Sequence, residues 1–141
     1  MDESGVRLPV GPLMKSVVIC GGKRFKPEMR DFADKLKKLG VVVHEPFLHS
    51  RGDEWEKLSD DYKNFIALGL THDHFYKIKI ADAVFVYNKE GYSGNSVTLE
   101  IGFAVALGKP IYALNNDEEL CRQVLFRKIT ALPEELVKQL M

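Results

Sequence analysis

The segment from residue 81 to residue 114 constrains the fold more than any other part of the chain. Its sequence, ADAVFVYNKEGYSGNSVTLEIGFAVALGKPIYAL, contains two short apolar runs, at residues 83–87 and 111–114, with a helix between them. Neither run alternates apolar with polar residues, so each is expected to be a strand buried on both faces. Two such strands joined by a helix predict a parallel sheet with helices on both sides.

Strand and helix patterns alternate along the rest of the chain. Two β-branched runs, at residues 16–20 and 41–44, predict the first two strands. Apolar residues at helical spacing predict three helices, which carry Met29, Phe32, Ala33 and Leu36, then Trp55, Leu58, Tyr62, Phe65, Ile66 and Gly69, then Phe75 and Ile78 within residues 71–80. The turn-rich residues 50–53 precede the second of these helices. The spacing of Asn116 and Glu119 predicts a helix through about residue 125. A weaker strand near residues 126–130 and a helix from Pro133 follow.

These elements predict a single domain over residues 15–141 with a three-layer, flavodoxin-like (Rossmann-like) α/β fold. Its sheet is expected to hold five mostly parallel strands in the order 2-1-3-4-5. Ligands bind such sheets where the strand order reverses, which is between strands one and three. The loops that follow these two strands, residues 20–24 and 88–96, are the most glycine-rich in the chain. Topology and loop composition therefore predict one binding crevice at this edge of the sheet.

Glu100 is the only charged residue between residues 97 and 108. A carboxylate inside an apolar helix loses several kcal/mol of hydration unless a polar group contacts it. Its helix follows a Gly/Asn/Ser loop of the kind that contacts anions or sugars at a helix N-terminus. We therefore expect Glu100 to face a substrate. The alternative is an acid near the first turn that is stabilised by loop amides and the helix N-terminus.

Composition argues against several classes of partner. Twenty basic and twenty acidic residues cancel over 141 residues, which disfavours a nucleic acid polymer or an anionic membrane surface. No apolar run approaches the roughly 20 residues of a membrane span. Residues 1–14 lack the pattern of a secretory signal and are expected to form a flexible tail. Two cysteines are too few for a disulfide framework, so a reducing, cytoplasmic location is expected.

A family resemblance is carried by the pattern A-D-x-V-x-V, a Gly/Ser loop, and L-E-I-G-F-A-x-A-L-G-K-P-I at residues 99–111. It resembles the nucleoside 2-deoxyribosyltransferase superfamily, which includes 2′-deoxynucleoside 5′-monophosphate N-glycosidases. The resemblance implies that Glu100 is the nucleophile at the anomeric carbon, and that the turn at Gly21 and Gly22, with Lys23 and Arg24, contacts the sugar and base. It further implies a nucleoside or nucleotide substrate, no cofactor, and a homodimer.

The chain departs from this family pattern at one position. The resemblance implies a catalytic aspartate eight residues before Asp82, and that position holds His74, with Asp73 one residue earlier. Either a one-residue shift restores Asp73, or His74 transfers the proton itself. The unperturbed pKa of a histidine, about 6.5, suits proton transfer near neutral pH.

The two glycine-rich loops supply the candidates for substrate binding. They are Cys20, Gly21, Gly22, Lys23, Arg24 and Phe25 after strand one, and Asn88, Gly91, Tyr92, Ser93, Gly94, Asn95 and Ser96 after strand three. The hydroxyl and amide groups of the second loop favour a phosphate or a hydroxyl-rich sugar. Phe25 could stack on a base, whereas Cys20 ends a buried strand and is expected to be a core residue rather than a nucleophile. His72 and His74 face different sides of a helix, so no metal site is expected.

Two functions remain open at this point. The first is cleavage or transfer at the N-glycosidic bond of a nucleoside or nucleoside monophosphate. The second is a non-catalytic nucleotide-binding module that has kept the crevice without turnover. The missing aspartate favours the second, and the isolated Glu100 favours the first.

Overall fold

The computed structural model describes residues 15–47 and 52–141. The strands are β1 (Ser16–Cys20), β2 (Val42–His44), β3 (Ala83–Val86), β4 (Ile111–Ala113) and β5 (Lys128–Ile129). The helices are α1 (Lys26–Lys38), α2 (Gly52–Glu56), α3 (Asp60–Ile80), α4 (Asn95–Ala106), α5 (Leu120–Gln123) and α6 (Pro133–Leu140). Short 3-10 turns at Lys23–Phe25 and Lys89–Gly91 follow β1 and β3. The predicted tail at residues 1–14 and the start of the predicted turn at residues 50–53 lie outside the described residues.

The strands form one parallel sheet in the order β2-β1-β3-β4-β5. Val18 of β1 lies beside Val84 of β3, which in turn lies beside Ile111 of β4. The predicted flavodoxin-like topology and strand order are therefore confirmed. The carboxyl ends of β1 and β3 lie side by side, so the loops that follow them meet at one edge of the sheet.

Alternate side chains of the strands divide the core into two layers. Val17 and Ile19 of β1 pack with residues of α1 and α6, whereas Val18 and Cys20 pack with residues of α3 and α4. This alternation follows from the period of two residues in a strand. Because Cys20 is the last residue of β1, its side chain lies beneath α3 and α4 at the edge where the loops meet.

The predicted break between two helices near residue 70 is wrong, because the break lies at residues 57–59, between α2 and α3. A single 21-residue helix, α3, begins after Ser59, whose side chain accepts a hydrogen bond from the Tyr62 backbone N–H at 3.2 Å. The helix continues through Gly69, although an interior glycine costs about 1 kcal/mol relative to alanine. Tyr62 and Phe65 are exposed rather than packed in the core. Among the described residues no helix, α3 included, is both long and apolar enough to cross a membrane.

The C-terminal elements follow the predicted order with different boundaries. Helix α5 is a short helix, and its N-cap is Glu119, whose carboxylate accepts the Cys121 N–H at 3.3 Å. The predicted role of Asn116 in that cap is therefore wrong. Strand β5 lies inside the predicted segment, and α6 begins at Pro133 as expected.

Candidate active site

A cavity of about 650 Å³ lies at the edge of the sheet where β1, β2 and β3 end. Loop residues, one face of α3 and the first turns of α4 line it: Gly21, Gly22, Lys23, Arg24, Pro46, Phe47, Ala67, Leu70, Thr71, His74, Phe75, Tyr92, Gly94, Asn95, Ser96, Val97, Leu99 and Glu100. Its volume is within the range of about 300–1,000 Å³ that is usual for small-molecule sites. The predicted crevice is thus a real depression in the surface.

Three polar side chains converge at the wall of this cavity. The His74 Nε2 atom lies 3.5 Å from the Glu100 Oε1 atom and 3.4 Å from the Cys20 Sγ atom. The side chains of His74 and Glu100 are only 7% and 15% exposed, and Cys20 is fully buried. We call these three residues the Cys20–His74–Glu100 cluster. Each comes from a different element, so the packing of β1, α3 and α4 fixes their relative positions.

Helical spacing explains why the two ionisable members of the cluster meet. His74 lies four residues before the buried Ile78, and Glu100 lies four residues before the buried Ala104, so each shares the inward face of its helix. One turn away, the rings of Phe75 and Phe103 stack with their centroids 4.6 Å apart. This stacking fixes α3 against α4 beside the cluster.

Burial opposes charge on every member of the cluster. Burial raises the pKa of Glu100 from 4.5 to about 7, and the hydrogen bond from Cys20 offsets only part of that rise. Burial lowers the pKa of His74 to about 4; the charge of Lys77 lowers it further and that of Asp73 raises it. Burial, followed by the nearby Glu100, raises the pKa of the Cys20 thiol. At neutral pH the imidazole is therefore neutral and Glu100 is close to half protonated.

The polar contacts of His74 run through one ring nitrogen. Its Nδ1 atom is buried and has no hydrogen-bond partner among the residues that the structure describes. Its Nε2 atom contacts both Glu100 and Cys20. A proton bound to Nε2 therefore lies within reach of both the Glu100 carboxylate and the Cys20 sulfur.

Comparison with known protein families shows which family the chain belongs to. The sequence model of the nucleoside 2-deoxyribosyltransferase family matches residues 17–141. The chain belongs to this family. The resemblance seen in the sequence is thereby confirmed over nearly the whole domain.

Solved structures share the fold of this family member. A conserved protein from Enterococcus faecalis V583 superimposes with a TM-score of 0.63 at 14% identity, covering 90% of this chain and 97% of that one. A 2-deoxyribosyltransferase from the psychrotolerant bacterium Bacillus psychrosaccharolyticus gives a TM-score of 0.57 at 15% identity, covering 86% and 89%. At such low identity these likenesses show the fold alone. A search of curated protein sequences returns no match.

In this family member the two candidates for the proton donor lie in different places. His74 lines the cavity and contacts Glu100, whereas Asp73 is half exposed and pairs with Lys77 at 2.9 Å on the same helix. Asp73 is not among the residues that line the cavity. Of the two candidates, His74 therefore lies in the cavity wall beside Glu100, and Asp73 lies outside it.

Most of the predicted substrate-binding residues line the cavity. They are Gly21, Gly22, Lys23, Arg24, Tyr92, Gly94, Asn95 and Ser96. The first residues of α4 line the cavity, and no side chain caps the backbone N–H groups of this first turn, whose N-cap is Gly94. The Arg24 guanidinium lies 3.9 Å above the ring of Tyr92, which joins the two loops across the cavity.

The other predicted binding residues lie beneath the cavity rather than in it. Phe25 is buried and contacts Tyr87 and Tyr92 edge-on or tilted, so the structure does not offer its face to a base. The side chain of Asn88 is fully buried and holds the backbone of Asn115, donating at 2.8 Å and accepting at 2.9 Å.

The loop after β3 is fixed to the loop after β4 by further contacts. Ser93 Oγ donates to Asp117, whose buried carboxylate also pairs with Arg122 at 2.9 Å. Gly91 has a φ of 79°, and a Cβ atom there would lie 2.9 Å from the Asn116 carbonyl oxygen. Gly91 and Ser93 therefore position the loop that Tyr92 and Gly94 present to the cavity.

Sequence analysis missed the part of the cavity that comes from α3 and from the loop after β2. Ala67, Leu70 and Thr71 precede His74 by seven, four and three residues and so share its helix face. Pro46 and Phe47 lie two and three residues after the end of β2, whose carboxyl end lies at the same edge as that of β1. Both signals were present in the spacing and topology.

The raised pKa of Glu100 predicts how stability responds to pH. The pKa of Glu100 is 4.5 in the unfolded chain and about 7 in the folded one, so the unfolded chain gives up its proton first as pH rises. The free energy of unfolding therefore falls by about 3 kcal/mol between pH 4.5 and pH 7. Glu100→Gln should therefore raise the free energy of unfolding at pH 8 by up to about 3 kcal/mol and change it little at pH 4.5. Urea denaturation at both values measures this difference. The exposed Glu118→Gln is the control, and an equal effect of Glu100→Gln at both pH values would contradict the account.

Proposed function

We propose that this protein cleaves the N-glycosidic bond of a nucleoside monophosphate, with Glu100 as the nucleophile and His74 as the proton carrier. The observation that carries this proposal is the 3.5 Å contact between His74 Nε2 and Glu100 Oε1 at the wall of a cavity of suitable volume. Membership of the nucleoside 2-deoxyribosyltransferase family supports the same reaction class.

The nucleophilic step follows the logic of retaining glycosidases. The Glu100 carboxylate attacks C1′ of the sugar, a covalent glycosyl-enzyme forms, and the bond from C1′ to the base nitrogen breaks. Water, or the N–H of a second base, then attacks C1′; the bond from C1′ to Glu100 breaks, and the proton of the attacking group passes to His74 and so returns to the Glu100–His74 pair. Attack by water is hydrolysis, and attack by a second base is transfer of the sugar.

One proton serves both the activation of Glu100 and the departure of the base. Between pH 4 and pH 7 the Glu100–His74 pair holds a single proton, since the imidazole is neutral above about pH 4 and the carboxyl stays protonated up to about pH 7. Transfer of this proton from Glu100 to His74 Nε2 produces the carboxylate nucleophile and an imidazolium. The imidazolium then gives the proton to the departing nitrogen, which balances the step.

Phosphate recognition is supported by the polar end of the cavity. The uncapped N-terminus of α4 offers the backbone N–H groups of Asn95, Ser96 and Val97, and a helix N-terminus attracts anions. Lys23 and Arg24 line the same cavity from the loop after β1. These groups suit the 5′-phosphate of a nucleotide better than an uncharged nucleoside.

A nucleotide-binding module without turnover is the second candidate. The observation that favours it is the histidine at the family's aspartate position, because burial keeps this imidazole uncharged at neutral pH. Binding would then use the same cavity and the same phosphate contacts.

Incubation with a panel of ribo- and deoxyribonucleosides and their 5′-monophosphates tests the proposal. We expect free base to be released from a monophosphate with a higher kcat/KM than from its nucleoside, because only the phosphate contacts the α4 N-terminus. Glu100→Gln should lower kcat by at least about 10³-fold, since an amide is not a nucleophile. Chromatography of the free base measures both effects.

The same panel separates the two candidate functions. A rise in melting temperature with a monophosphate but no base release from any substrate would support the binding module. Equal turnover of the wild type and Glu100→Gln, as the folded protein, would exclude Glu100 as the nucleophile.

The single-proton mechanism predicts opposite pH profiles for two kinds of leaving base. With an ordinary base, kcat/KM should fall above about pH 7, where the pair loses its proton. With a 7-methylated purine, which already carries a positive charge, kcat/KM should instead rise through about pH 7 as Glu100 ionises. Initial rates from pH 5 to pH 9 measure both limbs.

Asp73→Ala is the matched control for His74→Ala, because the two residues are neighbours and only His74 lines the cavity. His74→Ala should lower the rate with an ordinary base by about 10²–10⁴-fold and that with the 7-methylated purine far less. A larger loss in Asp73→Ala than in His74→Ala would assign the proton to Asp73 instead.

We also propose that the protein is a homodimer. Away from the cavity, α3 and α4 carry large exposed apolar side chains, among them Tyr62, Phe65, Leu68 and Val105. Several such side chains on neighbouring helices are typical of a surface that another protein covers. Sedimentation velocity at micromolar concentration should give a dimer, and Phe65→Lys should shift it to a monomer. A wild-type monomer under these conditions would contradict the proposal.

A further inference from the structure

Three metal-ligating side chains of different chemistry converge in the Cys20–His74–Glu100 cluster. One ligand atom of each, a thiol sulfur, an imidazole nitrogen and a carboxylate oxygen, lies within 4.8 Å of the other two. We infer that the cluster is a Zn²⁺ site and that a bound Zn²⁺ inhibits the protein. Sequence analysis expected no metal site because His72 and His74 face different sides of a helix. The cluster instead joins His74 to Cys20 of β1 and Glu100 of α4, which are distant in the sequence.

The size of the triangle formed by the three atoms fits tetrahedral zinc. With Zn–S bonds of about 2.3 Å and Zn–N or Zn–O bonds of about 2.0–2.2 Å, the edges of a coordination tetrahedron are about 3.3–3.6 Å. The distance from Cys20 Sγ to His74 Nε2 is 3.4 Å, and that from His74 Nε2 to Glu100 Oε1 is 3.5 Å. The third edge, from Cys20 Sγ to a Glu100 carboxylate oxygen, is at most 4.8 Å, so binding an ion requires at most a shift of these two side chains toward each other.

The donor set selects the metal. A thiolate and an imidazole are poor ligands for Mg²⁺ or Ca²⁺, which prefer oxygen, whereas a combination of S, N and O is typical of Zn²⁺. His74 offers Nε2, since its other nitrogen is buried away from the cluster partners. Three ligands on three elements are also held in place before an ion arrives, which reduces the entropy cost of binding.

The fourth coordination position faces the cavity. His74 and Glu100 line the cavity, whereas Cys20 lies fully buried behind them. An ion above the triangle can therefore be reached from the cavity and can hold a water molecule there, as zinc sites with three protein ligands do. Coordination releases the proton of the Cys20 thiol and that of Glu100 where it is protonated, so one or two protons leave for each ion bound.

Inhibition follows from the roles of the ligands and rests on the proposed function. A Glu100 oxygen bound to Zn²⁺ cannot attack C1′, and a His74 Nε2 bound to Zn²⁺ cannot carry a proton. Metal binding itself does not depend on any reaction. The two parts can therefore be tested separately.

Titration of the metal-free protein with Co²⁺, a spectroscopic substitute for Zn²⁺, tests the site directly. We expect one equivalent to bind, with a near-ultraviolet sulfur-to-cobalt charge-transfer band and intense visible bands that indicate tetrahedral coordination. One equivalent of Zn²⁺ should remove both. Cys20→Ser should abolish the charge-transfer band, and His74→Gln should weaken binding by more than about 100-fold, since even the loss of an outer partner costs about 10–100-fold.

Matched controls distinguish the cluster from adventitious surface binding. Cys121→Ser removes the exposed cysteine, and His72→Gln removes the exposed histidine of the same helix. Both variants should bind Co²⁺ as the wild type does. Loss of the band in Cys121→Ser with retention in Cys20→Ser, or binding without any charge-transfer band, would overturn the proposed site. Circular dichroism checks that Cys20→Ser is folded, and Glu100→Gln provides a second variant if it is not.

Base release from a nucleoside monophosphate tests the inhibition. One equivalent of Zn²⁺ should lower the rate by at least tenfold, and a chelator should restore it. Unchanged or faster release with the site filled would overturn the inhibitory role. If no substrate is cleaved at all while Co²⁺ binds through Cys20, His74 and Glu100, the proposed function fails and the metal site stands.

Discussion

The contact between α3 and α4 over the end of β1 is the interaction on which the candidate site depends. It brings His74 and Glu100 to within 3.5 Å, although 26 residues separate them in the chain, and it places both above Cys20. Keeping a carboxyl of raised pKa in this place costs stability at neutral pH. Apolar packing, of which the Phe75–Phe103 stack is the nearest part, has to supply the compensating free energy.

The opposite wall of the cavity has a different physical basis, namely close backbone contact. A side chain at Gly21 would collide with Met29 and Tyr87, and one at Gly91 would collide with the backbone of Asn116. The loop after β1 therefore passes close to the core, and the loop after β3 passes close to the loop after β4. One wall is thus a rigid backbone frame rich in N–H groups, and the other is a helix pair that carries the ionisable side chains. This division suits a ligand with a charged, hydrogen-bonding end and a reactive centre.

Sequence reasoning succeeded where a local pattern determines the outcome. The β-branched runs gave the strands and their order, and the isolation of Glu100 gave the most unusual side chain of the site. It failed where contacts between distant parts of the chain set the pKa or the position of a side chain. Burial moves the pKa of His74 far from 6.5, and packing in the core takes the Phe25 ring away from the cavity. Neither outcome depends on residues that are neighbours in the sequence. The cap at Ser59 is a local contact with Tyr62, and sequence analysis overlooked it.

The exchange of an aspartate for a histidine that the family resemblance implies has a physical logic in this setting. Two carboxylates in a buried site repel each other, and one of them remains protonated well above its usual pKa. A neutral imidazole beside Glu100 carries no such repulsion, so the pair can hold one mobile proton without a net charge. The same exchange adds a nitrogen donor beside a thiol and a carboxylate, which creates a set of soft and borderline ligands that two carboxylates would lack. A cluster that carries a proton as proposed would therefore also be open to a metal ion, and His74 takes part in both arrangements.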